Sequence, residues 1–480
     1  MNPRRGLQRC FGLGLFAAVL VSARPAAAVA AEDFPKGAVV DRVVCRADGE
    51  QSYALYLPSA YDCARRWPIL FCFDPGARGK VAVNVFRDAA EQYGYIVVGS
   101  NNSKNGPWEI ALKAIRAVWA DTRDRFCIDD RRVYSAGHSG GAHVALLFPM
   151  VVDRPTAGVI AICNGLPEAF KRAAIPKDLA VFVSTGLFDF NYWPARGIGP
   201  ALDAAGVANH LQIFHGEHQW PPSPETREAL AWLDLQAMKM GKRERDEAWI
   251  TAQFVQRLRI AREAENDKRT IDAFEAYRAL ASDFRGLTDV AEIEGRLAEL
   301  KKSPDVVGFP QTAKAMEDDE RRQFSAAAQM LAGIVNAFGP QGIQAPDQRR
   351  RITNLRRGSE DDVNPNSAAA KRRVSRLFAQ VMNAAGDEYA RKDMERAAAL
   401  FEAATLLRPN LPAPWYDLAS VYSRVGEKTK ALQALESAVQ NGMNDVEFIE
   451  KDADLDAIRN EPAYARLIEK LKKDRAPAKK

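Results

Sequence analysis

The sequence predicts an α/β layer with a mostly parallel sheet, followed by an all-helical region. Three observations predict it. From about residue 38 to 238, short β-rich apolar runs alternate with helical stretches, the pattern of a parallel sheet covered on both faces. After Met240 the strand-like runs vanish, Ala, Arg, Glu and Leu dominate, and "GKRERDEAW" marks a charged junction. Near the C-terminus, small and large residues recur at the offsets of a helical repeat.

The strand candidates in order are "AVVDRVV", "SYALYLP", "PILFCFD", "YIVVGS", "RVYSAG", "AGVIAIC", "LAVFVST" and "LQIFHG". No helix separates the first two, so they form an antiparallel start. "NVFRDAAEQYG" and "IALKAIRAVWADTRDRF" are the clearest helices between later strands. Beyond Met240, helical periodicity is broken at "KKSPDVVGFP", "NAFGPQGIQAPDQ" and "SEDDVNPNS". Trp415, Leu418, Ala419, Tyr422, Gly426, Ala431, Leu435 and Ala438 form one repeat series. Ala385, Gly386, Tyr389, Ala397, Phe401, Ala404 and Pro409 form another, one period earlier. The small residues let paired helices approach, and the large ones fill the gaps. "IDAFEAYRALASDFRGLTDVAEIEGRLAEL" reads as a degenerate earlier unit.

The chain of 480 residues exceeds what one core usually holds. With 47% hydrophobic and 27% charged residues, its composition is that of a globular protein and excludes wholesale disorder. Arg4, Arg5, Arg9 and Arg24 carry four of the net +5 charges. The remainder is nearly neutral, which argues against nucleic-acid binding. The basic cluster "QRRRITNLRR" is followed at once by "SEDD" and reads as a solvated helix face.

The first residues combine a basic start, an apolar run from Phe11 to Val21 and a small-residue ending Ala28-Val29-Ala30. That order is a secretory signal cleaved after Ala30, and the run is too short to span a bilayer. The expected division is therefore 1–30 signal peptide, 31–240 α/β domain, 241–375 helical region and 376–475 repeats, exported to the periplasm or beyond. No stable membrane span is expected elsewhere. Of the later cysteines, Cys63 and Cys127 fall in surface-loop segments, while Cys72 in "PILFCFD" is a buried apolar residue. An exporting compartment permits a disulfide, but the spacing does not fix the pairing.

The chemistry concentrates around "YSAGHSGGAHVAL". Gly137-His138-Ser139-Gly140-Gly141 satisfies G-x-S-x-G between a strand and a helix, the setting of a nucleophile elbow. Small neighbours are needed there because strand and helix backbones approach closely. An elbow serine requires an acid and then a histidine, each from a loop after a later strand. Asp189 in "STGLFDF" and His218 in "HGEHQWPP" meet that order. His138 leaves the turn in the wrong direction, His143 lies on the helix, and His210 begins a strand. His215 competes with His218 but ends the strand, whereas His218 follows a glycine in a loop. The N–H of Gly140 is one expected oxyanion donor, and that of Gly76 or Ala77 in "FDPGARGK" the other. Trp220 and Trp193 stand in loops that wall the site and are the candidate substrate contacts. No metal cluster or dinucleotide loop is present in the sequence pattern, so no metal and no cofactor is expected.

"AGHSGGAHVAL", "GLFDF" and "GEHQWP" resemble the nucleophile, acid and histidine motifs of α/β-hydrolases of the polyhydroxybutyrate depolymerase and feruloyl esterase type, with dienelactone hydrolases close to these. The resemblance implies a cofactor-independent serine esterase acting on small or polymeric esters. Two departures bear on substrate class: neither "FDPGARG" nor "STGLFD" carries the family's His-Gly. The helical half is similar to tetratricopeptide proteins, which implies a protein partner. Two other functions fit the same residues, a degenerate hydrolase scaffold whose repeats bind an envelope protein, and a serine peptidase.

Overall fold

The computed structural model describes residues 34–168, 170, 175–337, 345–360 and 367–475. The signal segment 1–30 lies outside them. Eight strands form one sheet: β1 (Val39–Val44), β2 (Ser52–Tyr56), β3 (Trp67–Phe73), β4 (Ile96–Ser100), β5 (Ile128–His138), β6 (Gly158–Ile162), β7 (Ala180–Gly186) and β8 (Ala208–Phe214). Their order is β1-β2-β4-β3-β5-β6-β7-β8. β2 runs antiparallel to both neighbours, and every pair from β4 onward across the sheet is parallel. The expected antiparallel start is thus present and extends to the β2–β4 pair. β5 is longer and β8 begins earlier than the apolar runs indicate: residues 129–132 form an irregular stretch between the paired Ile128 and Val133, and Ala208, Asn209 and His210 pair with β7.

The central strands are buried on both faces, as a parallel sheet under two helical layers requires. Ile69, Phe71 and Phe73 of β3 face one core with Trp119, Phe148 and Leu202. Leu70 and Cys72 face the other, with Phe86, Leu230 and Trp232. Helices Gly79–Tyr93 and Ser223–Lys239 cover that second face.

From Glu247 onward the described chain is helical. Helices Met394–Leu407, Pro412–Arg424 and Lys428–Gln440 pack successively on one another, with Ala397, Ala404, Ala419, Ala431 and Ala438 fully buried at the crossings. The basic helix Pro346–Arg357 buries little beyond Ile352 and pairs Arg350 with Asp347 and Arg356 with Glu360. Several contacts join the layers, two of them bearing on the site. Asp283 of helix Thr270–Phe284 is buried and accepts from Trp232 Nε1 at 2.7 Å and Arg257 at 2.9 Å, with His210 Nδ1 at 3.1 Å. The second junction lies over the loops after β7 and β8, described below. No helix among the described residues is long and apolar enough to cross a membrane.

Cys63 and Cys127 form a disulfide, while Cys45, Cys72 and Cys163 are buried thiols. The bond closes a segment of separation 64 that contains β3, β4 and two helices. Reduction is expected to lower the unfolding free energy by up to about 4 kcal/mol through the freed denatured-state entropy. Urea unfolding with and without a reductant checks this, and a Cys63→Ser/Cys127→Ser protein should match the reduced form.

Candidate active site

Ser139 sits between β5 and helix Gly140–Val151 with φ 55° and ψ −124°. A side chain other than glycine in that region is strained by about 1–3 kcal/mol, which the surroundings must hold in place. They do so through the backbone. The Ser139 amide donates to the Ile162 carbonyl at 2.9 Å, and the Ser139 carbonyl accepts from Asn164 Nδ2 at 2.7 Å. Close approach explains the flanking glycines. A Cβ on Gly137 would lie 2.0 Å from the Gly141 carbonyl oxygen, and one on Gly141 would lie 2.0 Å from that of Phe73.

The turn projects the hydroxyl above the carboxyl ends of the strands. His218, in the loop after β8, places Nε2 2.9 Å from Ser139 Oγ. Its Nδ1 lies 2.9 Å from Asp189 Oδ1, in the loop after β7. Asp189 is fully buried, and its carboxylate also accepts from the Asn191 amide at 2.8 Å and Thr185 Oγ1 at 3.3 Å. These bonds fix the carboxylate so that one oxygen faces the imidazole. Phe190 stacks on the His218 ring at 4.1 Å between centroids.

The other histidines are occupied elsewhere. His215 is exposed against Phe188, His143 hydrogen-bonds the Gly165 backbone, and His210 binds Asp283. His138 is buried behind His218, 4.7 Å away, with Trp220 at 5.4 Å on its ring. Neither ring nitrogen of His138 has a partner among the described residues. Burial and the neighbouring His218 press its pKa down to about 3, so it is a neutral flat spacer.

The loop after β3 departs from expectation. The Gly76 amide donates to Asp74 Oδ1 at 2.8 Å, and the Ala77 amide to the Asp74 carbonyl at 3.1 Å. Asp74 is fully buried and also accepts from Arg78 Nε at 2.8 Å and Trp220 Nε1 at 3.0 Å. The amide expected to be the second oxyanion donor, that of Gly76 or Ala77, is in either case turned toward Asp74 of its own loop. Asn105 lies against the elbow instead, with Oδ1 1.8 Å from where a Cβ on Gly140 would be. Trp220 is likewise held by Asp74 and packed edge-on to Phe86. Trp193 lies beside Tyr192 and under Arg372, and lines a cavity at the edge of the site.

Among the described residues, His138, Cys163 and His218 bring possible metal-ligand atoms within 4.8 Å of one another. Both His218 nitrogens face Ser139 and Asp189, and the Cys163 thiol donates to the Gln219 carbonyl. That donor set does not fit a metal ion.

The helical region reaches both loops that carry the acid and the imidazole. Arg408 grips the Glu217 carboxylate with its two terminal guanidinium nitrogens, at 2.8 and 2.7 Å. Arg372 donates to the Leu187 carbonyl at 2.7 Å, pairs with Glu320 and lies over Tyr192. Composition gives no signal for these contacts, since Arg408 and Arg372 are two arginines among many.

No protein-family profile matches the chain, and no curated protein does. Solved structures similar to it include an inhibited esterase B from Lactobacillus rhamnosis, 18% identical over 44% of this chain and 91% of that one, TM-score 0.36. A ferulic acid esterase is 17% identical over 41% and 96%, TM-score 0.33. An S-formylglutathione hydrolase from Staphylococcus aureus is 14% identical over 42% and 98%, TM-score 0.34.

The buried His138 has a consequence for stability. The unfolded chain takes up a proton near pH 6.5 that the folded chain refuses until about 3. Between those values stability falls as pH drops, by up to about 1.4 kcal/mol per pH unit from this one group. His138→Phe, which loses no hydrogen bond, is expected to flatten that part of the stability profile. Urea titrations from pH 7 to 4.5 on both proteins check it.

Proposed function

We propose that the chain is an exported serine hydrolase that cleaves carboxylic esters through an acyl-enzyme on Ser139. The observation that carries this reading is the unbroken contact Ser139 Oγ–His218 Nε2–Nδ1–Asp189 Oδ1, at 2.9 Å in each step. In it, His218 takes the Ser139 proton as Oγ attacks the ester carbonyl, and Asp189 orients the ring and stabilises the imidazolium. The Gly140 amide, first in its helix and so without an intrahelical acceptor, receives the developing oxyanion with the positive helix end behind it. His218 then protonates the departing alkoxide, and a water activated by the same ring hydrolyses the acyl-serine. The reading as a degenerate scaffold finds no support in this geometry.

Export rests on the sequence of the first thirty residues. In this reading residues 31–240 form the catalytic domain, and residues 376–475 form tetratricopeptide repeats that offer a protein partner a contact surface. The helical region has a second task, because Arg372 holds the Leu187 carbonyl just before Asp189 and Arg408 holds the Glu217 carboxylate just before His218.

Ser139→Ala is expected to abolish hydrolysis of short-chain nitrophenyl esters while the fold survives. Asp189→Asn is expected to cut kcat by about 10⁴-fold, as loss of the orienting acid does in other triads. Steady-state kinetics and circular dichroism check both, and full activity of the Ser139→Ala protein would contradict the reading. Arg408→Ala and Glu217→Ala should each lower kcat by about three- to tenfold with little change in KM. The double variant should be no worse than either single one, because one contact is lost in all three.

A further inference from the structure

Phe190, which stacks on the His218 ring, also lines a cavity of about 250 Å³ shared by the two layers. Phe190 and Trp193 of the loop after β7 form one wall. Helices Pro304–Asn336 and Ser367–Ala390 form the other, bringing Phe324, Arg373 and Arg376. At this size it is smaller than the roughly 300–1,000 Å³ of a whole ligand site and fits one arm of a substrate.

Its charge is unbalanced. The two carboxylates in the lining are already matched, Glu320 by Arg372 and Glu317 by Arg321. Arg373 and Arg376 have no carboxylate within ion-pair distance among the described residues. Arg373 reaches only the amide oxygen of Gln323, and Arg376 stacks on Phe324 at 4.1 Å. Arg373 is half-buried and Arg376 exposed; desolvation on the packed side lowers the pKa of both, in Arg373 against the opposing pull of Glu320 and Asp319. The Trp193 indole N–H is also buried without an acceptor. Two guanidinium forks and an idle N–H donor call for an oxyanion, and the aromatic walls call for an apolar body carrying it. Such a ligand is a carboxylate on an aryl or short aliphatic arm, in preference to bare phosphate.

We propose that this cavity is a substrate subsite that selects esters bearing a free carboxylate. The proposal rests on the serine hydrolase reading and adds to it the substrate class and the part the helical region plays in choosing it. Arg373 and Arg376 are the specificity residues, and neither touches the reacting atoms.

Two matched ester pairs test it with the full chain. 4-Acetoxybenzoate against phenyl acetate places the carboxylate on the leaving group, and nitrophenyl hydrogen succinate against nitrophenyl butyrate places it on the acyl group. The expected result is an acidic-over-neutral ratio of kcat/KM of at least about tenfold in one pair, falling about tenfold in Arg373→Gln and Arg376→Gln. Ratios near one in both pairs, or ratios unmoved by the substitutions, would overturn the proposal. Calorimetry on the Ser139→Ala protein separates this from failure of the hydrolase reading, since it needs no turnover. Saturable benzoate binding that weakens in the Arg376→Gln background supports the subsite, whereas no benzoate binding, or tighter binding of inorganic phosphate, refutes it.

Discussion

The turn at Ser139 is the constraint on which the rest of the site depends. Its φ of 55° lifts the hydroxyl off the end of β5, and only residues without a Cβ at positions 137 and 141 allow the helix to start so close to the strand. The strain is borne by the parallel sheet, because β3 and β6 flank β5 and supply the Phe73 and Ile162 carbonyls that the turn packs on or bonds to. β7 and β8, next along the sheet, then deliver the acid and the imidazole from their own carboxyl ends. The serine, imidazole and acid are thus set by strand order rather than by neighbourhood in the chain.

A second set of contacts holds this arrangement from above. Arg372 and Arg408 come from helices far along the sequence, yet they bind Leu187 and Glu217, residues directly adjoining the loops of Asp189 and His218. Loops of this kind are ordinarily the mobile part of an α/β layer. Here the Leu187 carbonyl and the Glu217 carboxylate are tied to packed helices, so the helical region acts both as a brace and as one wall of the adjoining cavity. A loop position fixed this way supports the direct Ser–His and His–Asp contacts.

Much of this was legible in the sequence, and the reasons differ by feature. The strands announce themselves because buried parallel strands are continuous apolar runs, and β5 and β8 differ where residues 129–132 and 208–210, most of them charged or polar, extend the strand. Ser139, Asp189 and His218 stand out because each follows a strand at a loop, and the structure brings them within hydrogen-bond reach. The loop after β3 is different. "FDPGARG" looks like a donor loop, but the buried Asp74 draws its donors from its own loop, taking the Gly76 amide on its carboxylate and the Ala77 amide on its carbonyl. Trp220 follows the same acid and is held back from the open site. Arg372 and Arg408 carry no periodic or motif signal, since their importance comes from contacts between regions more than a hundred residues apart.

The most direct test of the central claim is mass spectrometry of the full chain after a fluorophosphonate probe, with peptide mapping of the adduct. A single stoichiometric adduct on Ser139, lost in the His218→Ala protein, is the predicted result. An unlabelled Ser139 in the folded protein, or labelling that persists undiminished without His218, would contradict the account.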